Sequence, residues 1–417
     1  MQFMKVYIVA SLIAIFPLIA MADEPTSPHL SIRYIEPDQA KGGSPAVAVK
    51  NVAQVHTAQI FPKPVSIAVA AVDPLEQQTK SCLQELDRIL KSAGSSTANI
   101  VKLNVYTTTD DDAGIVERDL AKYLPKGIRP AVSLVRTRLA REHVRIAMDA
   151  VAVTTQSPDR VVRIPFGGDS TLNTNQTLFT VGTTGAAILP IGSRVYISGQ
   201  AEAGDGTLRD ATHLTMLGLK TTLNFLGLQP ADVVQLKAFL QPMSDAAVVV
   251  EQMSAIFPGS TPPPMVLVEW DSPQLPIEIE VIAAVPTPPE QAPSVEFLTP
   301  PWMKPSPVFA RVVRLNHPTT IYTSGLYGGT ADPNSTEEVR DLFGSLGRIL
   351  KSAGGDLKHL AKATYYVTTD DVSKRLNTVR PEFYDRDRPP AASKAKVAGT
   401  GRAGRTITLD MIGTESK

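Results

Sequence analysis

Arg88-Ile89-Leu90-Lys91-Ser92-Ala93-Gly94 recurs without a change as Arg348-Ile349-Leu350-Lys351-Ser352-Ala353-Gly354, 260 positions further on. The residues downstream of each copy match too: Val105-Tyr106-Thr107-Thr108-Thr109-Asp110-Asp111 answers to Tyr365-Tyr366-Val367-Thr368-Thr369-Asp370-Asp371. Between them stands Leu219-Lys220-Thr221-Thr222-Leu223-Asn224-Phe225-Leu226-Gly227, whose glycine falls 133 residues after Gly94 and 127 before Gly354. A period of about 130 residues is that of a whole domain rather than a solenoid unit. The chain therefore reads as three copies of one module, spanning residues 30–155, 160–288 and 295–417.

The same signals come in the same order in each copy. A β-rich stretch opens it, at 46–49 and 52–60, at 194–198, and at 308–324. A helix comes next, with apolar residues at three- and four-residue spacing: Leu83, Leu86, Leu90 and Ala93, then Leu342, Leu346, Ile349, Leu350 and Ala353. Gly94, Gly227 and Gly354 stand where a helix stops on a left-handed residue. A strand, a second helix and two closing strands complete the unit, with strands at 100–107, 233–240 and 360–368 and helices near 115–123, 246–256 and 372–383. Ile277-Glu278-Ile279-Glu280-Val281 alternates as a strand with one buried and one solvent face should. The fold class is α+β: three tandem modules, each a mixed β-sheet with two helices on one face.

Composition narrows the function. Lys+Arg and Asp+Glu are both 41, so no net field favours nucleic acid or an anionic membrane. Aromatic residues make up 6%, too few for a base-stacking platform. Lys5, the apolar run 6–19 and Ala20-Met21-Ala22 form a secretory leader, residues 1–22, cut after Ala22. The mature chain is thus expected outside the cytoplasm, periplasmic or secreted, with no membrane span. Cys82 lies in a helical apolar pattern and reads as a small buried hydrophobe. The six histidines show no metal spacing, and neither a phosphate loop nor a dinucleotide fingerprint occurs, so no metal and no cofactor is expected. The acidic run Asp110-Asp111-Asp112 stands at a strand-to-helix turn, where helix capping is the expected role.

The order of these elements, joined to their wording, resembles the RidA/YjgF family, also called endoribonuclease L-PSP or translation-inhibitor-like. Ser198-Gly199-Gln200 matches that family's turn after an early strand, and Thr57-Ala58-Gln59 and Ser324-Gly325-Leu326 match it in part. Lys91-Ser92-Ala93-Gly94 and Lys351-Ser352-Ala353-Gly354 match its helix end, Ile100-Val101-Lys102 and Leu360-Ala361-Lys362 its next strand, and Ile277-Glu278-Ile279-Glu280-Val281-Ile282-Ala283 its last strand. The resemblance implies a chorismate-mutase-like fold, and three fused copies imply an intramolecular pseudo-trimer with three unlike clefts rather than a homotrimer. It also implies hydrolysis of reactive imines and enamines to 2-keto acids. There the arginine of a Pro-Ala-Arg-Ser motif grips the substrate carboxylate and a last-strand glutamate places water.

The copies depart from the family at that arginine. Its place is taken by Val132, Met265 and Ala392, and the glutamate survives only as Glu278, opposite Ala147 and Thr408 in the other copies. Glu278 is the candidate catalytic residue; the bland alternative is a polar strand face like that of Glu280. Ser198, Gly199 and Gln200, together with Arg129 and Arg388 on the preceding loops, are the candidate ligand-binding residues, with Arg136 and Lys394 just downstream. A tight turn and solvated loop charges are the competing explanations. Two functions stay open: a divergent exported imine hydrolase, or a non-catalytic pseudo-trimeric scaffold for a small molecule or a partner protein.

Overall fold

A computed structural model describes residues 31–63, 74–166, 181–272, 274–287, 291–329 and 331–416; the leader expected at 1–22 lies outside them. Three helix pairs are present: α1 (Leu75–Ser92) with α2 (Ala113–Tyr123), α3 (Leu208–Phe225) with α4 (Ala246–Ser254), and α5 (Thr336–Ser352) with α6 (Asp370–Val379). The glycines that end α1, α3 and α5 are left-handed as expected, Gly94 at φ 67°, Gly227 at 71° and Gly354 at 84°. Among the described residues no helix is long and apolar enough to cross a membrane.

Each pair covers one face of a six-stranded mixed sheet. The first sheet runs β5 (Ala131–Arg136), β4 (Ile100–Thr107), β6 (Ile146–Val153), β3 (Gln54–Thr57), β8 (Thr184–Leu189), β7 (Val162–Pro165). The second runs β11 (Met265–Glu269), β10 (Val233–Leu240), β12 (Ile277–Val285), β9 (Ser193–Gln200), β14 (Val312–Leu315), β13 (Val295–Leu298). The third runs β1 (Ile32–Ile35), β2 (Ala46–Lys50), β15 (Thr319–Thr323), β18 (Ile407–Glu415), β16 (Gly355–Val367), β17 (Ala391–Lys396). The parallel pairs, β4–β5, β10–β11 and β16–β17, are those with a helix between their strands, as a parallel crossover requires.

The sheets are out of phase with the sequence repeat. The hairpin β7–β8 opens the second copy but completes the first sheet, and β13–β14 opens the third copy but completes the second sheet. The ring closes when β1–β2, at the start of the chain, joins the third sheet through β2 and β15. Only residues 51–53, 190–192 and 316–318 separate each hairpin from the strand that leaves for the next sheet.

The faces turned away from the helices meet at a common axis. An apolar cluster there, including Val49, Val151, Tyr196, Val313, Tyr322 and Ile412, draws on all three sheets and on no helix. Above it lies a polar layer. Lys102 Nζ lies 2.9 Å from Asp410 Oδ1, and Lys362 Nζ 2.8 Å from Glu280 Oε1. The third position of this set holds Gln235, whose amide donates to Thr57 O at 2.8 Å, while Asp149 accepts from Tyr106 Oη at 2.6 Å and Asn104 Nδ2 at 2.8 Å. Glu280 is 4% exposed, so the alternating strand turns its polar face to this axis and not to solvent. Such pairs add little net stability, because desolvation offsets attraction, but an unmatched partner would be severely penalised.

His56 occupies the place that Tyr196 and Tyr322 hold in the other sheets: the three pair with Val151, Ile282 and Ile412, which are themselves equivalent. It is 1% exposed, and neither ring nitrogen has a hydrogen-bond partner. Burial, with the positive charges of Arg194 and Lys362, pulls its pKa down to about 3. The unfolded chain binds this proton near the ordinary value of about 6.5, so stability is full above that and declines as pH falls from 6.5 towards 3. The variant His56→Leu is expected to remove that part of the acid sensitivity. Chemical denaturation at pH 7 and pH 5 checks this, the midpoint of the variant falling less than that of the wild type.

Candidate functional site

Where the sheets abut, the first turn of β5, β11 and β17 meets the turn after an early strand of the neighbouring module. Gly325 N donates to Val132 O at 2.9 Å, and Gln59 N to Met265 O at 3.0 Å. Ser324 Oγ accepts from Val132 N, and Ser198 Oγ from Ala392 N, both at 2.7 Å. Three equivalent clefts result, and they contain Val132, Met265 and Ala392 respectively. The strand register also corrects the motif in the first copy. Ile60, Gln200 and Leu326 pair with the equivalent residues Met148, Ile279 and Leu409, so Ala58-Gln59-Ile60, and not Thr57-Ala58-Gln59, stands where Ser198-Gly199-Gln200 stands.

The Met265 cleft is closed. Met265, Ala147, Phe61 and Val181 belong to one buried apolar cluster. The Gln59 amide seals it by pairing with the backbone of Leu267, at 3.1 Å to the carbonyl and 3.3 Å from the N–H.

The Ala392 cleft contains Glu278. A Cβ on Gly199 would fall on the Glu278 carboxyl, so only glycine allows the turn to lie this close. Glu278 Oε1 is covered and has no hydrogen-bond partner. Burial pushes its pKa up to about 8; Ser393 opposes the shift, Glu280 reinforces it and Lys394 opposes it again. Lys394 lies two residues along β17 from Ala392, on the same face, and burial together with Arg380 lowers its own pKa. Its ammonium donates to Asn377 Oδ1 at 3.3 Å. Gln200 turns away and donates to Thr222 Oγ1 at 2.8 Å, while Ser198 Oγ donates to Ala310 O at 2.6 Å. Those two side chains brace the turn.

The Val132 cleft is open, with a volume of about 300 Å³ between the first and third modules. Ser44, Val132, Gly325, Tyr327, Arg348 and Arg402 are among its walls. Tyr327 donates to Thr400 O at 2.8 Å, and burial lifts its pKa to about 12, so the phenol stays neutral. Arg402 lies over the Tyr327 ring, 5.0 Å from its centre, and its Nη2 is 2.6 Å from Glu117 Oε1.

The loop that presents Arg402 is pinned. Gly401 N donates to Asp110 Oδ1 at 3.1 Å, and Asp110 pairs with Arg136 at 2.9 Å. Gly401 is left-handed at φ 75°, and a Cβ there would meet Leu134 Cβ at 2.5 Å. The acidic run thus does not cap α2. No side-chain cap bond forms at Asp112, which instead pairs with Arg145.

Arg129 and Arg388 are not among the residues that line the Val132 cleft. Arg129 is 6% exposed and donates to Ile128 O at 2.7 Å; Arg388 is exposed on its loop. Arg402 is not among the residues that the motif singles out, although Gly399-Thr400-Gly401-Arg402-Ala403-Gly404-Arg405, a glycine-rich basic loop between the last two strands, is a legible signal. Among the described residues no cluster of His, Cys, Asp and Glu could hold a metal.

Glu278 has a measurable consequence for stability. Its pKa is raised on folding, so its protonated form contributes stability below the unfolded value, and that contribution is lost as pH rises through about 8. The uncharged Glu278→Gln variant is expected to gain on the wild type between pH 5 and pH 9, and paired thermal melts at those two values read the difference.

The sequence profile described as Endoribonuclease L-PSP matches residues 39–154 and 174–285. The mitochondrial protein mmf1 of Schizosaccharomyces pombe is 33% identical over 78 residues, 18% of this chain and 48% of that protein. The chain thus spans about half the length of this curated relative. A YjgF-family protein of Neisseria meningitidis is 24% identical, covering 31% of this chain and 99% of its own, with a TM-score of 0.22. A Rid-family protein of Yersinia pestis is 21% identical, covering 30% of this chain and 98% of its own, with a TM-score of 0.27. With two of its three modules matched by the profile, over more than half its length, the chain belongs to the Endoribonuclease L-PSP family.

Proposed function

We propose that this chain is an exported, single-chain member of the family that binds small molecules through the Val132 cleft. Its ligands are compact carboxylates of the 2-keto or 2-imino acid type, and Arg402 grips the carboxylate in place of the absent motif arginine. The observation that carries this is the cleft itself. At about 300 Å³ it is at the small end of ligand pockets, and a guanidinium forms part of its wall. The Met265 cleft is filled by its own side chains. Thr408 stands at the Val132 cleft where the family has its water-placing glutamate, which favours binding over rapid hydrolysis. The balanced charge of 41 against 41 favours a small ligand over nucleic acid, and the leader pattern at 1–22 supports export. The closed ring of sheets supports a monomeric pseudo-trimer.

Calorimetric titration of the mature chain with 2-oxobutyrate tests the proposal. The wild type is expected to saturate, and Arg402→Met to lose about tenfold or more in affinity, the value of a charge-assisted hydrogen bond. Absence of binding at millimolar ligand, or binding indifferent to Arg402→Met, would overturn it.

A second reading places imine hydrolysis at Glu278, and the raised pKa of that carboxyl beside Lys394 favours it. As a general base Glu278 acts when ionised. Hydrolysis of 2-imino acids generated by an amino-acid oxidase should then accelerate as pH rises through about 8 and fall to background in Glu278→Gln. A rate equal to buffer at every pH would exclude it.

A further inference from the structure

Beside the Val132 cleft lies an outer chamber of about 360 Å³, lined by Asp110, Gly114, Ala403 and Arg405 among others. Two residues line both spaces, Glu117 of α2 and Arg402 of the pinned loop, and they are the pair that meets at 2.6 Å. The partition between the chambers is therefore an ion pair across the boundary of the first and third modules.

Among the described residues, the three cations on the walls of the inner cleft each have an acidic partner. Lys41 lies 3.7 Å from Asp38, Arg348 3.2 Å from Glu36 and Arg402 2.6 Å from Glu117. The first two pairs are largely exposed and interact weakly through water. Glu117 and Arg402 are the most enclosed, with side chains 20% and 39% exposed, so their mutual attraction is the least screened. Among the described residues, an anion entering the cleft meets no unoccupied guanidinium.

On the assignment of the Val132 cleft as the ligand site, we infer that Glu117 is a built-in competitor for Arg402, a specificity-determining carboxylate that the ligand must displace. Arg402 does not need Glu117 to keep its place. Its guanidinium stacks on Tyr327, its loop is tied down by Asp110, and Gly401 packs against Leu134. Glu117 has somewhere to go, because its side chain also borders the outer chamber, where Arg405 forms part of the wall. The exchange replaces one carboxylate on Arg402 by another. It therefore selects ligands that are themselves anionic: a neutral ligand has no charge with which to displace Glu117, and binds beside the intact ion pair without engaging Arg402.

The test is a calorimetric comparison of 2-oxobutyrate with its neutral amide, 2-oxobutyramide, on the full mature chain. The wild type, Glu117→Gln and Arg402→Met are titrated side by side. Glu117→Gln keeps the length of the side chain and an acceptor for Arg402, so only the competing charge is removed. Relative to wild type, Glu117→Gln is expected to bind the keto acid about fivefold more tightly, the value of a partly exposed ion pair, with affinity for the amide unchanged. Equal or weaker binding of the keto acid by Glu117→Gln, while Arg402→Met still abolishes it, would overturn the competitor and leave the ligand site standing. A parallel gain for acid and amide would mark Glu117 as a steric plug and would also overturn it. If neither wild type nor Glu117→Gln binds the keto acid, the ligand site falls and the competitor with it.

Discussion

The exchange of hairpins around the ring is the constraint on which the rest of the molecule depends. Each sheet is a four-stranded unit completed by two strands from the next repeat, and the last is completed by the first strands of the described chain. No repeat can satisfy its own sheet, because a strand edge left unpaired exposes a row of backbone donors and acceptors. The three-residue corners at 51–53, 190–192 and 316–318 leave no slack for a hairpin to fold back on its own module. Closure thus brings three sheet faces onto one axis and creates three boundaries, and every candidate site lies at one of those boundaries.

Fusion allowed the boundaries to diverge. The axis keeps two lysine–carboxylate pairs, Lys102–Asp410 and Lys362–Glu280, and replaces the third by Gln235 reaching a backbone carbonyl. The clefts show the same pattern. One is packed shut around Met265 and Gln59, one encloses Glu278 against Gly199, and one stays open beside Val132. In a homomeric trimer each change would appear three times and its cost would triple. In a single chain a site can close while its neighbour is rebuilt.

The open cleft draws on residues remote from Val132 in the sequence. Arg402 reaches the open cleft from the loop before β18, and it can do so because Asp110, Arg136 and Gly401 hold that loop against the first module. An acidic run that looks like a helix cap becomes an anchor once another module's loop is laid against it. Glu280 likewise looks like a solvent-facing strand residue until three sheets converge and bury it with Lys362.

Repetition and local periodicity were legible in the sequence. The heptapeptide at Arg88 and Arg348, the glycines that stop α1, α3 and α5, and the alternation in β12 determined the element order and the fold class, since helices, turns and strands answer to neighbours a few residues away. Which hairpin completes which sheet, which cleft stays open, the one-residue shift that places Ala58-Gln59-Ile60 in the first turn, and the meeting of Arg402 with Glu117 were decided only by the tertiary structure. Those features join residues up to 285 positions apart, through strand register and side-chain packing. No local pattern records a distance of that kind; it exists only once the ring has closed.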